Sequence, residues 1–347
     1  MKKLIIAALA IAAMAACTKS NVQFDQPSEI AFQPVAQKAT KAAVVGPQYP
    51  TRAEYNFNVW AWWGNDNAVV TEDYSHFGNK YIDNKTFTHR ENNIWGGVTS
   101  YYWPTTGSLV FAGYSPATNE GGTFTYTPST KTFKVENYKQ SNLTSKTKDL
   151  MWFDITSDSY NTRKINDASS VEIISENAGV PVTFKHALSW LTFRFNVANP
   201  ATSENWTVTE VKLNGINTIG TGTAVKGQET VAWNPISEPD VITVFTGSHS
   251  VVYKDNDNDA SNVDDGGVIV IPQPCTTVTI KFTQVNYAGG SQEQEITLPL
   301  NAGAVDGNAW KSGKKYIYTI KFDADEILIT PTVADWTNVT VDIPVEF

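Results

Sequence analysis

Short runs in which apolar and polar residues alternate recur along most of the chain, separated by Gly, Asn, Asp, Ser and Pro. Alternation of period two marks strands with one buried face, and the abundance of Val, Ile, Thr, Tyr, Phe and Trp in these runs suits a pleated surface. The pattern predicts strands at residues 55–63, 108–114, 123–126, 132–135, 182–184, 190–197, 207–213, 241–246, 267–271, 277–284, 293–298 and 315–322. Capped runs of period 3.6 are hard to find, and only residues 302–310 are ambiguous between helix and strand. The chain is therefore read as all-β, with turns at the spacing of antiparallel sandwiches.

Two alternating segments stand apart. Near the start, residues 29–35 form a short strand-like stretch carrying Ile30 and Phe32, followed by a Pro-, Ala- and Gly-containing loop that reaches Arg52. Such a loop is accessible to proteases. At the other end, Val339, Val341, Ile343, Val345 and Phe347 alternate with polar residues or Pro, which gives a strand with one apolar face. That strand could close its own sheet or enter a groove on another copy of the chain.

The first 16 residues pair Lys2 and Lys3 with an apolar run from Leu4 to Ala13, the pattern of a secretory signal too short to span a bilayer. Met14-Ala15-Ala16-Cys17 resembles a bacterial lipobox, in which the Cys17 sulfur is acylated and becomes the start of the mature protein. A single other cysteine, Cys275, then remains, so no intramolecular disulfide forms and stability rests on burial. About 330 mature residues exceed one sandwich and suggest two domains, split near residues 177–181. The formal charge of −9 becomes about −11 once Lys2 and Lys3 leave with the signal, which disfavours a nucleic-acid partner.

Catalytic signals are weak. His76, His89, His186 and His249 lie far apart without HxxxH or HxH spacing, no GxSxG elbow or Walker loop occurs, and Cys275 has no nearby His. These gaps imply no metal site, no cofactor and no enzyme. Asp255, Asp257, Asp259, Asp264 and Asp265 form the best calcium candidate, but Ala260 and Gly266 stand where an EF-hand needs Gly and Glu, so a solvated hairpin loop is expected. Trp60 and Trp62 share one strand face and could serve as a sugar-stacking platform, or else belong to the core. His186 is read as a packed or hydrogen-bonded residue near the domain junction rather than a base.

Four ordered pieces carry a family resemblance. The stretch Val182-Thr183-Phe184-Lys185-His186-Ala187-Leu188-Ser189-Trp190-Leu191-Thr192-Phe193 resembles the Phe, basic residue, His, Ala, Leu element of the fimbrillins, the type V pilins of Bacteroides-type bacteria. Ile271-Pro272-Gln273-Pro274, Trp310-Lys311-Ser312-Gly313-Lys314-Lys315-Tyr316-Ile317-Tyr318 and Val333-Ala334-Asp335-Trp336 follow in order. The resemblance implies two transthyretin-like antiparallel β-sandwich domains in tandem, at 53–180 and 181–347, after a signal at 1–16 and a propeptide at 17–52. It implies a lipid-anchored outer-membrane precursor from which a trypsin-like or Arg-specific protease removes the first strand, with Arg52 the expected cut and Lys38 and Lys41 the alternatives. The terminal strand, 337–347, would then enter the vacated groove of another copy or a related pilin, building a surface fimbrium for adhesion to a host glycan or protein receptor. The competing expectation is a monomeric surface lipoprotein that binds glycan through exposed tryptophans.

Overall fold

The structure, a computed structural model, describes residues 29–36, 49, 51, 53–64, 77–91, 94–118, 121–140, 148–156, 160–161, 172–173, 179–203, 205–235, 239–263, 267–285, 289–323 and 327–335. The described part is nearly all strand. Its first half contains β1 (Ala31–Ala36), β2 (Phe57–Gly64), β3 (Asn79–His89), β4 (Trp95–Gly97), β5 (Ser108–Ser115), β6 (Thr123–Thr127), β7 (Thr132–Lys139), β8 (Met151–Phe153), β9 (Tyr160–Asn161), β10 (Glu172–Ile173) and β11 (Val180–His186). The second half contains β12 (Ser189–Val197), β13 (Trp206–Asn217), β14 (Ile219–Val225), β15 (Ala232–Pro235), β16 (Pro239–Ser250), β17 (Ser261–Asn262), β18 (Val268–Val270), β19 (Thr277–Val285), β20 (Ser291–Pro299), β21 (Lys314–Phe322) and β22 (Ile327–Asp335). Within residues 302–310 the chain makes a single helical turn, Gly303–Asp306, closed by Gly307.

The twelve strands read from alternation between residues 55 and 322 form, several with longer ends, while the terminal strand at 337–347 lies outside the described residues. Others escape that reading for visible reasons. In β3 only Ile82 and Phe87 are buried, so the strand is almost wholly polar. In β14 two glycines interrupt the alternation, and Gly222 lies so close to Val231, Val135 and Trp233 that a Cβ would crowd them.

One sheet runs β5-β2-β3-β4-β1-β11-β8, and β8 pairs back onto β5, so these strands close into a seven-stranded barrel. Closure leaves no free edge among them. The interior is packed with Ile30, Phe32, Tyr49, Phe57, Val59, Ala61, Phe87, Trp95, Phe111, Met151, Phe153 and Phe184. The outer face of β2, β5 and β8 is covered in turn. Trp60, Trp62, Val110, Tyr114 and Trp152 pack beneath the sheet β15-β14-β7-β6, where Tyr114 stacks on Phe124 at 4.0 Å and Phe133 on Trp152 at 5.3 Å. That cover explains why β2 is buried on both faces.

The covering sheet draws on both halves of the chain, because β7 pairs antiparallel with β14 from Thr132↔Val225 to Lys139↔Ile219. Gln140 reinforces the join. Its Nε2 donates to the Ile269 carbonyl and its Oε1 accepts from the Ile271 N–H, each at 2.8 Å. Beyond Ala187 and Leu188 the chain enters a sandwich whose two sheets, β17-β12-β21-β22 and β16-β13-β19-β20, enclose a separate core around Phe193, Phe195, Val211, Ile280, Tyr318 and Phe322. His186, as expected, is a buried structural residue there, with Nδ1 2.6 Å from Asp149 Oδ2.

Candidate functional site

The feature most unlike an ordinary closed barrel is the wall between β4 and β11. That wall is β1, which pairs parallel with β11 through Phe32↔Val180 to Ala36↔Phe184 and antiparallel with β4 through Ala31↔Gly96 and Phe32↔Trp95. Alternation sends Ile30, Phe32 and Pro34 inward and Gln33 outward. Pro34 is accommodated because β4 pairs only with the first two residues of β1, leaving no partner on that side for an N–H at position 34.

Phe32 occupies the middle of the barrel. Its ring meets Phe87 at 4.9 Å, Phe111 at 5.1 Å and Phe57 at 5.9 Å, all edge to face. Each such aromatic contact adds about 0.5–1.5 kcal/mol beyond area burial. Ile30 is equally buried, and its N–H donates to the Tyr101 carbonyl at 2.7 Å.

Sequence reading missed a third anchor from the same stretch. Tyr49 is buried against Phe184 at 4.7 Å, Trp95 at 5.3 Å and Phe57 at 5.9 Å, while its hydroxyl donates to the Tyr55 carbonyl at 3.0 Å. Burial pushes its phenol pKa well up. A lone Tyr among Pro, Gly and Gln has no period to betray it. The fully buried residues of this groove therefore include Ile30, Phe32 and Tyr49, all on the N-terminal side of Arg52.

An ion pair fastens the head of the strand. Arg90 Nη1 and Nη2 donate to the two carboxylate oxygens of Glu29 at 2.8 and 2.6 Å. The guanidinium, by hydrogen bonding first and charge second, holds the Glu29 carboxyl below its ordinary pKa of 4.5. A lowered pKa means that the pair stabilises the docked strand above pH 4.5 and loses that effect as acid titrates Glu29 through its lowered value. Both groups are partly exposed, so less than about 1 kcal/mol is at stake. The protection factors of the amides in residues 30–36, taken against the intrinsic exchange rate at each pH, are expected to fall on going from pH 7 to 3, and Arg90→Ala should remove most of that pH dependence. A variant with the same pH dependence as the parent would show that the pair does not hold the strand.

The remaining sequence candidates are distributed as follows. Cys17, Arg52, Lys38, Lys41 and the tail residues Val339, Val341, Ile343, Val345 and Phe347 lie outside the described residues. Trp60 and Trp62 are each only 3% exposed, so of the two readings it is the core one that holds and not the sugar-stacking platform: the β6–β7 hairpin covers their face. Asp257 is committed to structure, accepting from Asn196 Nδ2 at 2.7 Å and pairing with Lys321 at 2.9 Å. Cys275 is half-buried, and burial raises its thiol pKa to about 11, the opposite of what a nucleophile needs.

Comparison with known proteins places this barrel and sandwich. No curated protein sequence matches significantly. A fimbrial protein from Bacteroides vulgatus shares the fold at a TM-score of 0.57 with 16% identity, covering 89% of this chain and 100% of that one. The fimbrial anchor protein Mfa2 from Porphyromonas gingivalis aligns at a TM-score of 0.32 with 10% identity, over 90% of this chain and 98% of its own. The model of the fimbrillin-like family matches residues 40–336. With most of its length matched, the chain belongs to the fimbrillin-like family.

Proposed function

We propose that this protein is a non-enzymatic structural subunit of a surface fimbrium, assembled by exchange of strands between copies. The observation that carries the reading is the position of β1: a short segment upstream of a basic cleavage candidate that forms one whole wall of a closed barrel. Cutting at Arg52 would remove Ile30, Phe32 and Tyr49 together and leave a slot between β4 and β11 with apolar lining and unpaired backbone groups. Burial of apolar side chains from the tail face of another copy, Val339, Val341, Ile343, Val345 and Phe347, would refill it, each one that enters the slot contributing about 1.5–3 kcal/mol before ordering costs. Slot and tail are built from different segments of the chain, so the contact is heterologous, and repeated head to tail it gives a filament.

In this reading residues 17–52 are a propeptide and 337–347 is the donor strand, while the N-terminal unit reaches past 180 to include β11. Cys17 carries the lipid that holds the precursor at the outer membrane, and an Arg-specific or trypsin-like protease releases it to the fimbrium. Its partners are copies of itself or related pilins, with a host glycan or protein receptor met by the finished fibre. The glycan-binding monomer is not favoured, since Trp60 and Trp62 are core residues.

Arg-specific cleavage of the purified full chain is expected to turn monomer into SDS-resistant ladders, and deletion of residues 339–347 to abolish them. Cleaved protein that stays monomeric at high concentration would end the strand-exchange reading.

A further inference from the structure

The Arg90 guanidinium is held by groups that would outlast removal of the propeptide. Arg90 follows β3 directly, and its backbone N–H donates to the Ile94 carbonyl at 2.8 Å, which fixes the loop leading into β4. Its Nη2 also donates to the Gly97 carbonyl at 3.2 Å. The guanidinium lies in the space that a Cβ on Gly96 would fill, so β4 supplies a cradle made by the lack of a side chain. Of these contacts, Glu29 alone comes from the segment upstream of Arg52. Its loss would leave a positioned, partly exposed cation at the mouth of the empty slot.

The tail carries the complementary charge. With Val339, Val341, Ile343, Val345 and Phe347 facing inward, the outward positions are Thr340, Asp342, Pro344 and Glu346. Glu29 is likewise an acid directly preceding a buried isoleucine, Ile30, and the tail repeats that order in Asp342-Ile343. A strand entering in the direction of β1, with Ile343 in the place of Ile30, brings Val345 to the place of Phe32 and Asp342 to that of Glu29.

Resting on the strand-exchange reading, we propose that Arg90 is the register-setting receptor of the groove and takes the Asp342 carboxylate of a second copy of this chain. A one-residue slip turns Asp342 inward and is excluded by burial. A two-residue slip keeps the apolar face inward but offers Arg90 either Thr340 or Pro344, neither of which brings a charge. The pair therefore selects among registers that hydrophobic burial alone leaves nearly equivalent.

The test uses the full chain, since in a homopolymer each copy supplies both groove and tail. Assembly after Arg-specific cleavage is followed by light scattering for the parent, Arg90→Glu, Asp342→Lys and the double variant, with melting temperatures of the uncleaved proteins as a folding control. Each single variant is expected to assemble about tenfold more slowly, because each reversal both loses the pair and sets two like charges against each other. The double variant should return to within about twofold of the parent, a rescue that a merely structural Arg90 would not show. Arg90→Glu assembling at the parental rate, or rescue by Glu346→Lys in place of Asp342→Lys, would overturn the assignment. Failure of the parent itself to assemble would instead strike the strand-exchange reading.

Discussion

Phe32→Ala is expected to strip about 3–5 kcal/mol from the barrel of the uncleaved protein, the usual cost of truncating a large buried aromatic. Phe32 is fully buried and touches the rings of Phe57, Phe87, Phe111 and Phe153, which come from β2, β3, β5 and β8. Removing it leaves a hole at the point where these strands converge. Relaxation is limited because the barrel is closed and its outer face is already packed under a second sheet. Urea unfolding followed through barrel tryptophans such as Trp95 and Trp103 measures the loss. A cost under about 1 kcal/mol would mean that the barrel does not lean on its first strand, and the groove argument would lose its footing.

Gly179→Val should have a double effect with an unusual signature. Gly179 directly precedes β11, and a Cβ there would lie within the backbone of Phe32 and Gln33. Because the obstruction is backbone rather than a movable side chain, β1 must lift away. The uncleaved variant is expected to lose its N-terminal segment to protease about tenfold faster or more, as the open form becomes populated. Any strand entering the same place meets the same obstruction. Cleaved Gly179→Val should therefore fail to form ladders even though its groove is empty. Rapid cleavage without assembly is the expected result, read on one gel against time. Normal cleavage and normal ladders together would show that β1 and the incoming strand do not share this path.

How much of this was legible in sequence depends on the range of the interaction. Period-two alternation revealed β6, β13 and β19, because each alternates buried with more exposed residues and local pattern reports that directly. It also identified Ile30 and Phe32 as the apolar face of a first strand. It did not reveal that this strand closes a barrel, since the parallel partner β11 lies at the far end of the N-terminal half and parallel pairing carries no turn signal between its members. Glu29 and Arg90 were silent for a related reason: ion pairs between distant segments leave no spacing to read. The tryptophans of β2 show the limit most plainly. Alternation placed Trp60 and Trp62 on one face, and only the second sheet, built partly from β14 and β15, decides that this face is interior.

The sheet β15-β14-β7-β6 has a further consequence for a subunit in a fibre. On the strand-exchange reading, each subunit is gripped by its barrel and pulls on its neighbour through the segment after β22. Tension along the fibre must then cross the molecule from one half to the other. Among the described residues it meets no slender linker, because β7 is stitched to β14 by a ladder of hydrogen bonds and Gln140 bonds both Ile269 and Ile271. Strain is spread over many bonds at once, so the halves stretch together and the subunit transmits force without first uncoiling between its domains.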